Sequence, residues 1–303
     1  MIIKHLVLSG GGPNMIQKLA AIQYLDENSI IKRENIKSIY GTSAGAMIGV
    51  LYCMNFDWET INDYIIKRPW YEVFPIKIQN IFDAYTKKGI FDIETIKKCF
   101  KPLLSAKDLN LNINLKDFYE FSKIEMHFLT FELNTFHMVD VSYKSHPDLS
   151  LIVAIQMTCA LPVLISPVLM NDCCYIDGGV ECNYPLNFCL ENNPDEVDNI
   201  LGFKNYYIEE IDHNIHNEST LLDFFMNFLF KLLFKINIDS TQPKIPYEII
   251  CNTKHMSIEY FKNALKSEDV RKELFQSGIE TATLFIEQIE KQFEQNLEND
   301  ANI

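Results

Sequence analysis

The first fifty residues alternate between apolar runs and glycine-rich breaks. Residues 2–8 form a run rich in Ile, Leu and Val, which predicts a short buried strand. The run ends at Gly10, Gly11 and Gly12, and residues 14–27 then place apolar side chains at helical spacing. The pattern therefore predicts a strand, a glycine-rich turn and a helix in succession.

A second unit of the same kind follows and carries a serine in its turn. A strand-like run leads into Gly41-Thr42-Ser43-Ala44-Gly45, and an apolar helical pattern with small residues comes next. This arrangement is typical of a nucleophile elbow, in which strand and helix approach too closely for a Cβ atom at the two motif glycines, Gly41 and Gly45. Ser43 is thus a candidate nucleophile, and the alternative is a glycine-rich turn with an inert serine.

The pattern up to about residue 190 continues to mix helices and strands. Apolar spacing predicts helices over most of 55–104, over 113–121 and over 149–158, and strands over 127–133, 138–141, 163–169 and 174–176. Strands that alternate with helices indicate an α/β fold.

The glycine-rich turn at Gly10, Gly11 and Gly12 exposes backbone N–H groups at the start of a helix, which suits an anion. Two interpretations compete, a phosphate cradle and an oxyanion hole. The chain has neither a Walker lysine with Ser or Thr nor a GxGxxG pattern, so a nucleotide site is weakly supported. In a parallel βαβ unit this turn and the Ser43 turn lie at the same edge of the sheet, which favours an acyl-transfer site.

Asp177 follows an apolar strand and precedes Gly178 and Gly179. A carboxylate at a strand end, on a turn that can bend towards a neighbouring loop, is placed to act as the base that a serine nucleophile needs. The alternative is an ordinary turn aspartate.

Composition narrows the classes of function. The 303-residue chain is 48% hydrophobic with a net charge of −14, which is typical of a globular protein and argues against nucleic acid as a partner. Its eight cysteines include no CxxC pair, and no Cys/His set has zinc-ligand spacing, so reduced thiols and no metal site are expected. Without a signal-peptide pattern or a membrane-spanning apolar run, we expect a cytoplasmic protein, in which peripheral contact with membranes stays open.

The motifs in this order resemble those of the patatin-like phospholipase family. That family combines a GGG loop, a GTSAG-type elbow and a DGG or DGA turn, which match residues 10–12, 41–45 and 177–179. Weaker family-like stretches accompany them at 88–92, 133–135, 157–162 and 183–185. The resemblance covers about residues 5–190.

The resemblance implies a three-layer α/β sandwich with a central, mostly parallel sheet, and a catalytic domain over 5–190. It implies a dyad without histidine, in which Ser43 is the nucleophile and Asp177 the base. Burial in an acyl-binding pocket would raise the Asp177 pKa from about 3.9 towards neutrality. The implied substrate is a phospholipid or another acyl-ester lipid, cleaved through an acyl-serine intermediate without metal or other cofactor.

The glycine loop departs from the family pattern, which continues with Arg or Lys and then Gly. Here Pro13 has no N–H to donate, and Asn14 keeps a donor without the charge. The expected oxyanion hole therefore consists of the Gly11 and Gly12 N–H groups with help from the Asn14 amide. Losing one such donor costs about 10²–10³ in rate, so weak activity is one expectation.

Residues 195–303 carry no family motif and are predicted to form a mainly helical C-terminal region. Within 221–236 a narrow polar stripe faces a wide apolar arc, which predicts a helix. The helix is expected to pack into the body of the protein, and the alternative is a lipid-facing helix that docks on membranes. A weakly amphipathic acidic helix over 284–297 is expected at the solvated surface.

Two further functions remain open from sequence alone. A lipase-type triad would need a histidine after the acid, which leaves His213, His216 and His255. A protein that keeps the fold for lipid binding or regulation would need no catalysis, and Pro13 and Asn14 favour that alternative.

Overall fold

The computed structural model describes residues 2–75, 78–207, 215–238, 242–254 and 257–300. Its strands are β1 His5–Leu8, β2 Ser38–Thr42, β3 Gly89–Phe91, β4 Glu125–Glu132, β5 His137–Val141, β6 Val163–Ile165, β7 Val168–Met170, β8 Cys173–Asp177, β9 Ile200–Tyr207 and β10 Tyr247–Thr253. Its α-helices are α1 Met15–Glu27, α2 Ala44–Cys53, α3 Trp58–Lys67, α4 Trp70–Val73, α5 Ile78–Lys87, α6 Ile93–Ala106, α7 Leu115–Ser122, α8 Leu151–Cys159, α9 Leu186–Asn192, α10 Leu221–Ile238, α11 Ile258–Lys266 and α12 Glu268–Asp300.

The central sheet has the strand order β10-β9-β1-β2-β4-β8-β7, with β5 also paired to β4. The five strands from β10 to β4 are parallel, while β5, β8 and β7 add antiparallel pairs. The register sets His5 beside Ser38 on one side and beside Ile200 on the other. The turns after β1 and β2 therefore leave the sheet side by side at its carboxyl edge.

Helices cover both faces of the sheet, which gives the three-layer α/β sandwich. Successive side chains of a strand point to opposite faces, so Leu6 and Leu8 join the main core while Val7 joins a second cluster with Tyr40 and residues of α9. The main core packs against α1, α2, α6, α8 and α12. Helix α2 is buried almost all round, because its sequence is apolar on every face.

The sequence-based prediction of one strand over 163–169 is wrong. The structure divides it into β6, which pairs with β3, and β7, which pairs with β8 in the central sheet. Pro167 lies between the two and has no N–H for a ladder, and the Ser166 N–H donates to Phe91 instead. The strands predicted over 127–133 and 138–141 are confirmed as β4 and β5, which pair antiparallel as a hairpin.

The C-terminal region is largely helical, as expected, but it also supplies two strands that the apolar pattern does not reveal. β9 pairs with β1 and β10 pairs with β9, so both extend the central sheet. The division of the chain near residue 190 stays a prediction, and strands from both sides of that point share one sheet.

The C-terminal helix differs from its prediction in length and in surroundings. It begins at Glu268 rather than near 284 and spans 33 residues. It packs tightly on α1, because a Cβ atom added to Gly278 would lie 2.1 Å from the Gln17 carbonyl oxygen. Phe285 is buried in the core, so only part of this helix has the solvated surface that the sequence predicts.

Helix α10 combines the two environments that the sequence left open. Its Leu222, Met226 and Phe230 side chains belong to a buried cluster, whereas residues at 221, 224, 225, 228 and 232 are exposed. No helix among the described residues is long and apolar enough to cross a bilayer.

Candidate active site

Ser43 occupies the turn between β2 and α2 with the backbone of a nucleophile elbow. Its φ of 53° and ψ of −126° lie in a region that residues with a side chain rarely adopt. Cβ atoms added to Gly41 and Gly45 would lie 2.5 Å from Ala46 Cα and 2.3 Å from the Leu8 carbonyl oxygen. Both glycines are required because the strand and helix leave no space at these positions.

A relay of hydrogen bonds ties the elbow to the neighbouring elements. The Ser43 N–H donates to Thr158 Oγ1 at 2.8 Å, and the Thr158 hydroxyl donates to the Leu129 carbonyl at 2.6 Å. Thr158 lies on α8 and Leu129 on β4, and both are buried. The contacts hold the serine backbone rigid, which keeps the position of its side chain defined.

Asp177 ends β8 and is brought to Ser43 by the pairing of β8 with β4. The ladder sets Asp177 opposite Thr130, and the Asp177 N–H donates to the Ala160 carbonyl at 3.0 Å. Asp177 Oδ1 accepts the Gly179 N–H at 2.7 Å, and the Ser43 side chain is close enough to the carboxyl group to lower its pKa. The serine and the acid predicted from two distant motifs are therefore direct neighbours.

Burial controls the acidity of this carboxyl group. Desolvation raises the pKa of Asp177 from 3.8 to about 6, although the hydrogen bonds with Ser43 and the Gly179 N–H act in the opposite direction. At neutral pH the group is thus mainly ionised and close to the pKa that suits a general base. Gly178 allows this close packing, since a Cβ atom there would lie 2.4 Å from the Leu129 carbonyl oxygen.

The glycine-rich loop after β1 lies against the elbow. A Cβ atom added to Gly10 would lie 3.2 Å from Ser43 Cβ and 2.6 Å from Asn183 Oδ1, and the Gly10 N–H donates to the Asn183 carbonyl. Gly11 and Gly12 have positive φ angles of 142° and 53°. Three motifs that are far apart in the chain thus meet around one serine.

The Asn14 side chain, which the sequence predicts to help the oxyanion hole, has hydrogen-bond partners in the C-terminal region. Its amide nitrogen donates to the Lys254 carbonyl at 3.1 Å, and its Oδ1 accepts the Tyr260 hydroxyl at 2.6 Å. The Asn14 N–H donates to the Gly11 carbonyl. Both ends of the side chain are therefore engaged on the side of the C-terminal region.

The Gly11 and Gly12 N–H groups have no acceptor among the described residues. Both glycines line the same cavity as Ser43 and Asp177. They are the donors that remain available to an oxyanion.

An apolar cavity of about 260 Å³ opens beside the serine. Its floor holds Ser43, Asp177 and Cys159, and burial raises the pKa of the Cys159 thiol well above its usual range, so the thiol stays protonated. Its walls are apolar side chains that include Met47, Leu51, Ile96, Phe100, Leu103 and Phe230. Such a lining suits an acyl chain and excludes a phosphate or nucleotide.

Histidine is absent from the lining of this cavity among the residues that the structure describes. Of the three candidates for a triad, His216 is exposed, and His213 and His255 lie outside the described residues. In the described part of the chain no group of three or more His, Cys, Asp or Glu side chains is arranged to hold a metal ion.

Comparison with known sequences agrees with the motif geometry. The patatin-like phospholipase family matches residues 6–190. The chain belongs to the patatin-like phospholipase family.

Patatin-like relatives occur in viruses and bacteria. The probable lipid hydrolase 463L of Invertebrate iridescent virus 6 is 24% identical over 190 residues, which are 62% of this chain and 63% of that protein. The uncharacterized protein YqhO of Bacillus subtilis (strain 168) is 25% identical over 197 residues, covering 59% of this chain and 64% of that protein. The chain thus spans somewhat less than two thirds of the length of these relatives.

The fold is shared with VipD from Legionella pneumophila. The crystal structure of that patatin-like neighbour superposes with a TM-score of 0.51 at 18% identity, covering 94% of this chain and 67% of the other. The match extends beyond residue 190, in agreement with the continuation of the sheet into β9 and β10.

Several residues of the site carry no signal that sequence reasoning could have used. Thr158 and Asn183 lie within or beside family-like stretches, but their contacts to Ser43 and Gly10 depend on how α8 and the turn after β8 pack. Lys18 and Asn205, which contact the carbonyl of Gly10, appear in the sequence as ordinary polar positions of a helix and a strand.

Proposed function

We propose that this patatin-like chain is a lipid acyl hydrolase in which Ser43 and Asp177 form the catalytic dyad. The observation that carries the proposal is a serine on a strained elbow, next to a buried carboxylate whose pKa is raised to about 6, in the lining of an apolar cavity. The viral relative described as a probable lipid hydrolase supports the same class of substrate.

The proposed reaction passes through an acyl-serine. Asp177 accepts the proton of the Ser43 hydroxyl while Ser43 Oγ attacks the ester carbonyl carbon, and the resulting oxyanion accepts hydrogen bonds from the Gly11 and Gly12 N–H groups. Collapse of this intermediate expels the alcohol, which takes the proton from Asp177. The carboxylate then removes a proton from water, which attacks the acyl-serine. The second tetrahedral intermediate breaks its bond to Ser43 Oγ, which takes the proton back from Asp177, and the fatty acid leaves the restored enzyme.

The cavity indicates which part of the substrate is held. Its apolar walls would bury the acyl chain next to Ser43 and shield Asp177 from water, and this burial is the cause of the raised Asp177 pKa. A phospholipid or another acyl ester with a long chain is therefore the proposed substrate.

The proposed contact with lipid surfaces rests on helix α10. Its exposed residues at 221, 224, 225, 228 and 232 follow helical spacing and form a single apolar stripe, in which Phe228 is 61% exposed. The opposite side of the same helix carries Phe230, which lines the cavity. An acyl chain leaving a bilayer at this stripe would therefore be close to the cavity wall, and we propose that the stripe docks on membranes.

Paired charges on the stripe test the docking surface. Phe225→Asp with Phe228→Asp should abolish hydrolysis of phospholipid vesicles while activity on a short soluble ester is retained. Leu284→Asp on α12 is the matched control, because Leu284 is 58% exposed and lies on another helix. Unchanged vesicle hydrolysis in the double variant would contradict membrane docking by α10.

A catalytically weak lipid-binding protein on the same fold is the second candidate. It is favoured by Pro13, which has no N–H, and by Asn14, whose donors are engaged elsewhere. These features leave the oxyanion hole without a charged side-chain donor, so it would depend on backbone N–H groups.

Labelling with a fluorophosphonate separates the enzyme from the binder. The probe should modify the wild type at Ser43, whereas Ser43→Ala should not react and Asp177→Asn should react at least about 10³-fold more slowly. Hydrolysis of a p-nitrophenyl acyl ester should follow the same order. A wild type that binds lipid but neither reacts with the probe nor cleaves the ester would establish the binding protein instead.

A further inference from the structure

A lysine lies beneath the glycine-rich loop. Lys18 of α1 is fully buried, and its Nζ donates to the Gly10 carbonyl at 3.3 Å. Within the described ranges no carboxylate forms an ion pair with it. A buried ammonium group without a carboxylate is unfavourable for stability, so a role in packing alone would be served better by an apolar side chain.

Asn205 of β9 is a second donor to the same carbonyl. Its Nδ2 donates to the Gly10 oxygen at 2.6 Å and also contacts the Tyr207 hydroxyl at 3.3 Å. Asn205 Oδ1 is buried without a hydrogen-bond partner. One backbone oxygen thus receives two side-chain donors from elements on either side of the loop.

The geometry of the peptide group transmits these contacts to the cavity. The Gly10 carbonyl and the Gly11 N–H belong to one peptide unit, and in a trans peptide the two point in opposite directions. Because Lys18 and Asn205 donate to the Gly10 carbonyl oxygen, the N–H of the same peptide points away from these two side chains. Gly11 lines the cavity with Ser43, and its N–H has no acceptor among the described residues, so this N–H is available to an oxyanion in the cavity.

We propose that Lys18 and Asn205 are positioning residues that orient and polarise the Gly10–Gly11 peptide for oxyanion stabilisation. The inference rests on the proposed hydrolase function and deepens it. A charged donor on a carbonyl withdraws electron density from the peptide and makes its N–H a stronger donor. Lys18 thereby supplies from beneath the loop the positive charge that the family pattern places at position 14 and that Asn14 lacks.

Because the proposed role of Lys18 depends on its charge, kcat should change with pH as Lys18 loses its proton. Burial lowers the pKa of Lys18 to about 8. The titratable groups around it are the Cys251 thiol on β10, with a pKa raised to about 11, and the Tyr207 hydroxyl on β9, whose pKa burial also raises. Neither ionises near pH 8, whereas Asp177 across the elbow titrates near 6. The kcat of the wild type should therefore fall above about pH 8 as Lys18 loses its proton.

The test compares Lys18→Met with Gln17→Met, a matched control at the next position of α1. Gln17 is also buried, but it contacts Asn252 and Ser277 rather than the loop. Lys18→Met should lower kcat on a soluble p-nitrophenyl ester about 10- to 100-fold, less than the loss of a whole oxyanion donor, with KM unchanged and the fall above pH 8 abolished. Gln17→Met should keep the kcat and the pH profile of the wild type.

Asn205→Leu is a second variant in case Lys18→Met does not fold. Its kcat should fall about tenfold, and the decrease in kcat above about pH 8 should remain as in the wild type. A wild type that reacts with fluorophosphonate, together with a Lys18→Met variant of unaltered kcat and pH profile, would overturn this inference alone. An unreactive wild type would overturn the proposed hydrolase function and with it the role of Lys18. If Lys18→Met does not fold, the pH profile of the wild type is the test. A wild-type kcat that stays constant from pH 7 to 9.5 would overturn the inference.

Discussion

The turns after β1 and β2 have the same plan of strand, glycine-rich turn and helix, yet they are held in different ways. The β2 turn is fixed mainly by close backbone packing, since Gly45 has no room for a Cβ atom against the Leu8 carbonyl, and Thr158 adds one hydrogen bond. The β1 turn is held mainly by side-chain hydrogen bonds, from Lys18 nearby and from residues far away in sequence. Gly10 accepts from a residue 195 positions later, and Asn14 accepts from a residue 246 positions later.

The two turns therefore show two ways in which the structure holds a turn of the candidate site in place. Steric exclusion at the elbow depends on a few adjacent residues, so a change there should disturb the fold itself. Apart from the one from Lys18, the side-chain hydrogen bonds that support the glycine loop come from the C-terminal region, so changes there should weaken the site while the sheet persists. The following predictions test this contrast.

The largest effect is expected for Gly45→Ala. The added Cβ atom would lie 2.3 Å from the Leu8 carbonyl oxygen and 2.8 Å from the Ser9 oxygen, and both belong to the backbone of the neighbouring strand and turn. We expect a loss of about 3 kcal/mol or more in the free energy of unfolding, measured by chemical denaturation.

Gly49→Ala in the same helix is its control. The nearest atom to that Cβ would be the flexible end of the Met126 side chain at 2.7 Å, so the loss should stay near 1 kcal/mol. Equal losses in the two variants would contradict steric exclusion as the basis of the elbow.

Asp177→Asn should stabilise the protein at neutral pH. The folded-state pKa of about 6 lies above the unfolded value of 3.8, so the native state binds the proton more tightly and its stability falls as pH rises between these values. The free energy of unfolding of the wild type should decrease by up to about 3 kcal/mol between pH 4 and pH 8 relative to the Asp177→Asn variant. Parallel stability curves for the two proteins would show that Asp177 is not a buried acid.

Tyr260→Phe should have a smaller effect, because it removes a support of the β1 turn without touching the sheet. The change leaves the buried Asn14 Oδ1 without the donor that now lies 2.6 Å away. We expect a loss of about 1–2 kcal/mol in stability and a reduced kcat on a soluble ester. Unaltered kinetics would mean that the loop keeps its shape without the C-terminal contact.

The smallest effect is expected at the histidines. His216 is exposed, and a dyad needs no imidazole. His213→Gln, His216→Gln and His255→Gln, singly and together, should each change kcat/KM by less than about tenfold, or about 1.4 kcal/mol. A loss of about 10⁴-fold from one of them in a folded protein would establish a triad.

Local structure could be predicted from the sequence where neighbouring residues alone determine it. The elbow at Ser43 was predictable because glycine is required on both sides of the serine, and the hairpin of β4 and β5 because its residues alternate. The candidate base could be picked out from the turn at Asp177, although its approach to Ser43 requires the pairing of β8 with β4.

The supports of the glycine loop could not be predicted, because they depend on tertiary packing. Nothing in the residues around Asn205 shows that β9 lies next to β1, and the side chain of Asn14 has the same local sequence whether it faces the cavity or Tyr260. Lys18 is comparable, since a lysine on a helix is ordinarily solvated, whereas here it is completely buried next to the Gly10 carbonyl and Cys251 of β10.

The position of β1 between β2 and β9 has a consequence for the order in which the protein assembles. His5 pairs with Ser38 and with Ile200, so one side of the first strand can be completed early in synthesis and the other only after some two hundred residues have emerged. Such non-local pairing is slow and leaves a strand edge open meanwhile. A nascent chain would thus acquire the serine elbow well before the loop beside it is braced, and we expect the proposed lipid hydrolysis to begin only once translation has passed β9.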